Sequence, residues 1–404
     1  MTQQPGLQIG PNMFAGLQQN PYPIYDMLRA SGRVHHVPPG AWLVTRYDDC
    51  LALLRDDRMS SDPTSSELYR VMMPQLMREA SPAAAMVPRL LLFMDPPDHT
   101  RLRGLVSAAF TRGAVEQLRP RIAELAEEML AAGREAGGFD LVTDFAYPLP
   151  VTVIAELLGV PVADHDRFGA WARDLIALLG QDSSAEVADR ADAAVLAFNE
   201  YFTALADERK RSPRDDLLTH MVETEVEGER LATEELLATC ILLLLAGHET
   251  TANLISIGTL ALLRHPDVLQ RLRGDPSLVP TCVEELLRFD SPVQATARTT
   301  MEPIEIAGQE IEAGQRVMLL LGCANRDPDT FDRADELVPE RRPNPHIGLG
   351  GGIHFCLGAP LARLEARVVF EALVGLDKLE LACDEVSWRA SFAIRGLESL
   401  PVAL

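Results

Sequence analysis

The sequence predicts a mainly helical protein with a central buried helix and a few short strands. Four stretches of helical composition precede residue 212, separated by glycine or proline residues. A longer stretch begins at Thr233, its predicted N-cap, and ends at His265 before a proline. It has about 30 residues and so spans roughly 45 Å. Residues 236–245 are apolar on every face of this helix, which indicates that the helix is buried on all sides. The four shorter stretches are residues 114–133, 150–158, 164–179 and 185–211.

Short strands are predicted near both ends of the chain. Residues 34–37 and 41–47 flank a Pro-Pro-Gly turn, so we expect them to pair. Residues 293–300 also have strand character, and residues 392–404 are predicted to form a hairpin.

Composition excludes several classes of protein. Of the 404 residues, 47% are hydrophobic and 24% charged, which is typical of a folded protein. The net charge of −22 argues against general binding to nucleic acid or to anionic membranes, because both need clustered Lys and Arg. The six cysteines are scattered without a Cys-x-x-Cys pair, so neither a zinc site nor a disulfide framework is predicted.

The sequence also predicts a cytoplasmic protein without a membrane anchor. Residues 1–12 lack the charged start and apolar run of a signal peptide. The longest apolar run, residues 240–247, is far shorter than the roughly 20 residues that a membrane helix needs.

A glycine-rich loop precedes Cys356. Four of the five residues 348–352 are glycine, so the backbone can approach another body where a Cβ would clash. Cys356 itself comes just before residues 361–370, which favour a helix. Free N–H groups at a helix start stabilise a thiolate, which is a good metal ligand.

This loop resembles the cysteine loop of the cytochrome P-450 haem-thiolate monooxygenases, Phe-Gly-x-Gly-x-His-x-Cys-x-Gly. Leu349 stands where the family has phenylalanine, and we expect it to loosen the thiolate environment. The resemblance implies haem b with Cys356 as its axial thiolate and with the other matching residues against the cofactor. The matching residues are Gly350, Gly352, His354, Cys356 and Gly358.

A polar cluster interrupts the predicted central helix. Burying an acid and two alcohols there is costly unless they have partners or a task. Ala246, Gly247, Glu249 and Thr250 match the family motif Ala/Gly-Gly-x-Asp/Glu-Thr. The resemblance implies that Thr250 and Glu249 manage protons and that Ala246 and Gly247 border the haem. The alternative is a threonine that merely hydrogen-bonds to its own helix.

Three cations are candidates for binding the haem propionates. His99 and Arg103 are four residues apart and therefore share one helix face, which is also typical of a solvated basic surface. The resemblance assigns both, together with Arg298, to the two propionates, and cations suit carboxylates.

The family's structural network also has its counterparts. Glu285 and Arg288 match Glu-x-x-Arg, and their spacing allows an ion pair. Arg341 is the third member implied by the resemblance, although Leu337 and Val338 depart from the common surrounding motif. The network is expected to support the cysteine loop.

Candidate substrate contacts follow from the resemblance and indicate a largely apolar molecule such as a macrolide, terpenoid, steroid or fatty acid. Gln294 is the only one whose side chain hydrogen-bonds. The candidates are Met86, Val87, Ile176, Leu242, Leu245, Ala246, Val293, Gln294, Ala295 and Ile394.

The resemblance implies a mainly α fold with a small β-rich lobe, the cytochrome P-450 fold. We treat residues 1–404 as a single domain, since the sequence does not separate the β-rich N-terminal part from the α-rich haem-binding part. The expected protein is a monomer that hydroxylates or epoxidises its substrate in secondary metabolism. A ferredoxin and its reductase would supply electrons, with docking near Arg112 and Arg363. The alternatives are a non-catalytic haem sensor or carrier and a peroxide-driven peroxygenase.

Overall fold

The computed structural model describes residues 19–38, 40–69, 81–107, 112–177, 184–225 and 230–404. Helices dominate, as the sequence predicts. Those that lie wholly within these ranges are α1 Tyr22–Ser31, α2 Tyr47–Leu53, α3 Pro82–Met86, α4 Asp98–Ser107, α5 Arg112–Glu116, α6 Arg119–Ala136, α7 Pro148–Leu157, α8 His165–Ala177, α9 Ala185–Arg211, α10 Leu217–Glu223, α11 Thr233–Arg264, α12 Pro266–Gly274, α13 Val279–Phe289, α14 Leu321–Ala324 and α15 Ala359–Val374.

The described strands form one five-stranded sheet and three smaller ones. The strands are β1 Val34–Val37, β2 Ala41–Val44, β3 Met59–Ser60, β4 Gly138–Asp140, β5 Thr296–Thr300, β6 Ile304–Ile306, β7 Gln309–Ile311, β8 Arg316–Leu319, β9 Glu380–Leu381, β10 Ser387–Trp388, β11 Leu397–Ser399 and β12 Pro401–Ala403. The larger sheet has the order β1-β2-β8-β5-β3, with only β2 and β8 parallel. The predicted pairing of residues 34–37 with residues 41–47 is confirmed, with Val34 opposite Val44.

Helix α11 is the buried central helix that the sequence predicts. Its start is capped differently from the prediction, because Thr233 is already helical and the Glu235 carboxylate accepts a hydrogen bond from the Ala232 N–H at 2.9 Å. By length and composition α11 could cross a membrane, but 72% of its most apolar stretch is buried inside the protein. Burial by neighbouring helices accounts for its apolar composition.

Two glycines let neighbouring helices pack closely on α11. A Cβ on Gly247 would lie 2.7 Å from Cδ1 of Ile154 in α7, and a Cβ on Gly258 would lie 2.6 Å from Cζ of Phe370 in α15. Both distances are shorter than a carbon–carbon contact allows. The largest apolar core surrounds α11, and a second core lies against the five-stranded sheet.

The predicted C-terminal hairpin is wrong. Strand β11 pairs with β10, whereas β12 pairs with β4 and β9 in a separate sheet. The partner strand β4 lies in the first half of the chain, so nothing in the local sequence identifies it.

Candidate active site

The cysteine loop fits tightly against the end of α2. Gly350 and Gly352 have φ angles of +76° and +64°, in the left-handed region that favours glycine. A Cβ on Gly352 would lie 2.1 Å from the carbonyl oxygen of Leu54. The Cys356 N–H donates to the carbonyl of Leu349 at 2.9 Å, which closes the loop.

The sulfur of Cys356 lies at the start of α15. Burial raises the pKa of the thiol, whereas hydrogen bonding by the backbone N–H groups of Gly358 and Ala359 and the charges of Arg363 and Arg103 lower it. Burial outweighs these groups, so the pKa of the thiol lies above its usual value, and the thiolate that the sequence predicts stays a prediction.

The donor set around Cys356 fits a haem better than a bare ion. Among the described residues, no group of three His, Cys, Asp or Glu side chains could hold a metal ion. A metal bound through this sulfur must therefore bring most of its own ligands, as iron in a porphyrin does. A Cβ on Gly358 would meet no atom within 4 Å, and on Gly350 only the His354 carbonyl at 3.7 Å, which leaves room for a flat body.

His354 of this loop lies against His99, and most ring nitrogens of the two histidines have no hydrogen-bond partner among the described residues. The rings of His99 in α4 and His354 have centroids 4.2 Å apart. Both ring nitrogens of His99 and Nε2 of His354 are buried and unpaired among the described residues. Burial, with the nearby cations Arg298, His99 and Arg103, lowers the pKa of His354 to about 3. Burial and Arg103 also lower the pKa of His99.

Arg298 and Arg103 lie near the histidine pair without a carboxylate partner. Arg298 in β5 is only 7% exposed and donates to the Ala297 carbonyl at 2.9 Å and the Thr296 hydroxyl at 3.3 Å. Arg103 donates to the Phe355 carbonyl at 2.6 Å. Within the described ranges, neither guanidinium lies within 4.0 Å of a carboxylate. Burial, then Arg316, lowers the pKa of Arg298 to about 10.

The histidine pair and the two arginines therefore fit an anionic group that carries two carboxylates. Arg298 is a buried cation without a counter-ion, which is costly, and the unpaired ring nitrogens of the neutral histidines can donate hydrogen bonds, so two propionates would compensate the charge and accept these bonds. The structure brings His99, Arg103, Arg298 and His354 together, and their role at a cofactor stays a prediction.

Glu249 and Thr250 of α11 contact different partners. The Thr250 hydroxyl donates to the Ala246 carbonyl at 2.8 Å, the back-bonding arrangement that the sequence leaves open. Glu249 is 7% exposed and its Oε1 lies 3.5 Å from Nη1 of Arg389. Burial raises the pKa of Glu249, and Arg389 acts in the opposite direction.

One stripe of α11 remains accessible while the rest of its middle is buried. Ala246 is exposed and Leu242, Leu245 and Thr250 are half-buried, at positions three or four apart. This spacing forms a continuous face that can line a pocket. Gly247 instead packs against Ile154, so its predicted contact with the cofactor has no support from this packing.

Two predicted substrate contacts need correction. Gln294 is 3% exposed, and its amide accepts from the Tyr25 hydroxyl at 2.9 Å and donates to the Ser291 carbonyl at 2.7 Å. Its hydrogen-bonding groups are therefore used inside the protein. Ala295 is also 3% exposed and belongs to the small core that includes Tyr25 and Leu28.

The other predicted contacts differ in their surroundings. Val293 and Ile394 form an isolated antiparallel bridge and are half-buried. Met86 lies in the main core, and Val87 is half-buried next to it. The side chain of Ile176 lies outside the described residues, as does that of Arg112.

Glu285, Arg288 and Arg341 form the network that the sequence predicts. Glu285 and Arg288 are 0% exposed, and the Arg288 guanidinium donates to both carboxylate oxygens of Glu285 at 2.8 Å. Nε of Arg341 lies 3.0 Å from both oxygens. Arg288 also donates to the Asn325 carbonyl, and the Asn325 side chain accepts from the Ile347 N–H, just before the cysteine loop. The network thus connects α13 with that loop.

Sequence reasoning missed Glu365, a buried acid on α15. It is 0% exposed, and neither of its oxygens has a hydrogen-bond partner among the described residues. Burial raises its pKa to about 8, and the nearby Thr251 hydroxyl acts in the opposite direction. An acid among the apolar residues Leu361, Leu364 and Val368 of one helix face was the available signal.

The stability of Glu365→Gln relative to that of the wild type should increase as the pH rises. The unfolded chain releases the Glu365 proton near pH 4.3, whereas the folded protein keeps it to about pH 8. Between these two pH values the folded protein binds more protons than the unfolded chain. The free energy of unfolding of the wild type therefore falls as the pH rises, by up to about 1.4 kcal/mol per pH unit. Thermal melts at pH 6 and pH 8 measure this, with Glu371→Gln at an exposed site of α15 as control. Parallel pH dependences of wild type and Glu365→Gln would contradict the prediction.

Comparisons with known proteins show which proteins this chain resembles. A sequence profile of the family described as Cytochrome P450 matches residues 83–385. The vitamin D(3) 25-hydroxylase of Pseudonocardia autotrophica is 44% identical over 97% of this chain and 96% of its own length. The polyketide biosynthesis cytochrome P450 PksS of Bacillus subtilis is 39% identical over 95% and 96%. The crystal structure of P450BioI with an acyl carrier protein that carries hexadec-9Z-enoic acid has a TM-score of 0.88 at 38% identity, over 96% of this chain and 100% of that one.

Proposed function

This chain belongs to the cytochrome P450 monooxygenase family, and we propose that it binds haem b and hydroxylates or epoxidises a largely apolar small molecule. The observation that carries the proposal is the position of Cys356 at a helix start near two arginines, Arg103 and Arg298, that lack carboxylate partners among the described residues, and near the unpaired ring nitrogens of His99 and His354. A thiolate and a dianion-binding cluster are the two things that haem attachment requires.

Each residue of the site has a proposed task. Cys356 holds the iron, and His99, Arg103, Arg298 and His354 bind the propionates. Thiolate-ligated haem supplies the activation of dioxygen and the transfer of one oxygen atom. Glu249 and the Thr250 hydroxyl hold and pass protons beside the accessible stripe of α11, for which Thr250 must leave the Ala246 carbonyl.

The proposed substrate is more apolar than the sequence alone implies. With the Gln294 amide engaged by Tyr25 and Ser291, none of the predicted substrate contacts offers a free side-chain hydrogen bond. Leu242, Leu245, Ala246, Val293 and Ile394 remain as the proposed lining. Relatives named for vitamin D(3), for a polyketide and for a carrier-bound fatty acid fit a substrate of this class.

We propose a ferredoxin and its reductase as the electron source, as is usual for bacterial relatives. The expected docking residue Arg363 is already paired, because Nε and Nη2 each lie 2.8 Å from Glu284. Ile353 and Phe355, which are 46% and 41% exposed, lie on the cysteine loop that precedes α15 and offer apolar contact area.

The test is a spectrum followed by turnover. The dithionite-reduced protein under carbon monoxide should show the strongly red-shifted Soret band of a thiolate-ligated haem. With that haem present, consumption of NADH and O2 through a surrogate ferredoxin pair should yield oxygenated product from a panel of steroids, macrolides and fatty acids. Product with hydrogen peroxide alone would favour the peroxygenase, and a haem protein without any turnover would favour the sensor.

A further inference from the structure

The loop of residues 389–396, here called the C-terminal loop, connects the proposed pocket wall with α11. The Arg389 N–H donates to the Gly396 carbonyl at 2.9 Å, which closes the base of the loop. Ile394 near its end forms a bridge with Val293. The adjacent Arg395 N–H donates to the Pro292 carbonyl at 2.7 Å, so the loop is fixed at both ends.

The base of the C-terminal loop covers one face of α11. Arg389 pairs with Glu249 at 3.5 Å, and a Cβ on Gly396 would lie 2.3 Å from Oδ1 of Asn253. Glu249 and Asn253 are four residues apart and so lie above one another on the helix. The ion pair and the close approach of Gly396 to Asn253 therefore place the base of the loop over this part of α11.

Arg389 dominates the charge around Glu249. Within the described ranges it is the only cation within 4.0 Å of that carboxylate. Tyr147 lies beneath its guanidinium at 5.8 Å, and the Tyr147 hydroxyl is 3.0 Å from Nε2 of His248. Burial lowers the pKa of His248 to about 4, so this histidine is neutral and brings no charge.

The remaining titratable groups on this side act on other partners. Arg173 of α8 faces Tyr147, and Glu365 of α15 faces Thr251. The side chain of Arg389 is 30% exposed, whereas the side chain of Glu249 is 9% exposed. The guanidinium therefore stands between the buried carboxylate and the solvent.

We propose that Arg389 is a positioning residue: it holds Glu249 as a carboxylate turned towards the C-terminal loop and sets the pH range over which Glu249 carries a proton. This inference rests on the proposed function, in which Glu249 handles protons. An opposite charge within about 4 to 6 Å favours the ionised form of a buried acid, and burial alone favours the protonated form. Without Arg389, only burial would act on Glu249, and the protonated form would be favoured.

The test is an infrared pH titration of Glu249 in the haem-loaded protein. The carbonyl stretching band of a protonated carboxyl, taken as the difference between each protein and its Glu249→Gln counterpart, reports this residue alone. In Arg389→Gln the midpoint should rise by about 1 to 3 pH units relative to the wild type. In Arg389→Lys, which keeps the charge, it should stay close to the wild-type value. Arg173→Gln is the matched control and should not move it.

Two results would overturn the inference. One is an equal midpoint in the wild type and in Arg389→Gln. The other is an equal rise in Arg389→Lys and Arg389→Gln, which would assign the effect to packing. Thermal melts identify a misfolded variant, and Arg389→Lys then still decides between charge and packing. The titration requires no turnover, so a normal carbon monoxide spectrum with an unmoved midpoint would reject this inference and leave the proposed function intact.

Discussion

Replacement of Glu285 by alanine should lower the free energy of unfolding by about 3–5 kcal/mol, the usual cost of breaking a buried ion pair. The reason is that Arg288 is 0% exposed and would keep its charge without the carboxylate that now accepts two of its hydrogen bonds. Arg341 and the Val338 N–H, which also donate to Glu285, would lose their acceptor as well.

Chemical denaturation of the purified protein measures this loss, and the retained haem content measures the effect on the cysteine loop. Glu336→Ala is the matched control, because its carboxylate pairs with Arg333 at the surface and should be worth less than about 1 kcal/mol. The loss for Glu285→Gln, which keeps the shape of the side chain but not its charge, should lie between the losses for these two variants. Equal losses for Glu285→Ala and Glu336→Ala would show that the network does not stabilise the fold.

Replacement of Cys356 by serine should abolish the red-shifted carbon monoxide band and, with it, monooxygenase activity. Serine keeps the size of the side chain, but its hydroxyl does not ionise near neutral pH and supplies no thiolate. The N–H groups of Gly358 and Ala359 that act on the sulfur would instead meet a neutral oxygen.

The carbon monoxide spectrum and the retained haem together measure this effect. Cys383→Ser is the control, since Cys383 is a half-buried free cysteine outside the site, and it should leave the band in place. A red-shifted band in Cys356→Ser would mean that another sulfur binds the iron.

Local signals explain which helices could be predicted. Helix α9 matches residues 185–211 because Ser184 caps its start and Ser212-Pro213 ends it. Helix α11 also begins and ends within one residue of its prediction, because Pro266 follows its end, although the predicted cap Thr233 is already helical. The predicted helix of residues 114–133 is instead a short α5 followed by α6 from Arg119, a break that its helical composition does not show.

Remote contacts explain the errors. The sequence around Gln294 is typical of a pocket wall, but its amide oxygen accepts a hydrogen bond from the Tyr25 hydroxyl, 269 positions away. Strand β12 pairs with β4 rather than β11, and Arg389 reaches Glu249 across 140 residues of chain. Motif spacing located Cys356, Glu285 and Arg288, because there the chemistry itself fixes the residue type and position.

The attachment of α1 has a consequence for synthesis of the chain. The Tyr22 hydroxyl donates to Asp290 at 2.6 Å, and the Tyr25 hydroxyl donates to Gln294, so both partners lie more than 260 residues downstream. A ribosome making about 5–20 residues per second therefore exposes α1 for on the order of ten seconds or more before these partners emerge. Tyr25 and Leu28, each 2% exposed in the finished protein, remain uncovered during that time. Nascent chains stalled before residue 290 should accordingly be more sensitive to protease at α1 than chains released in full.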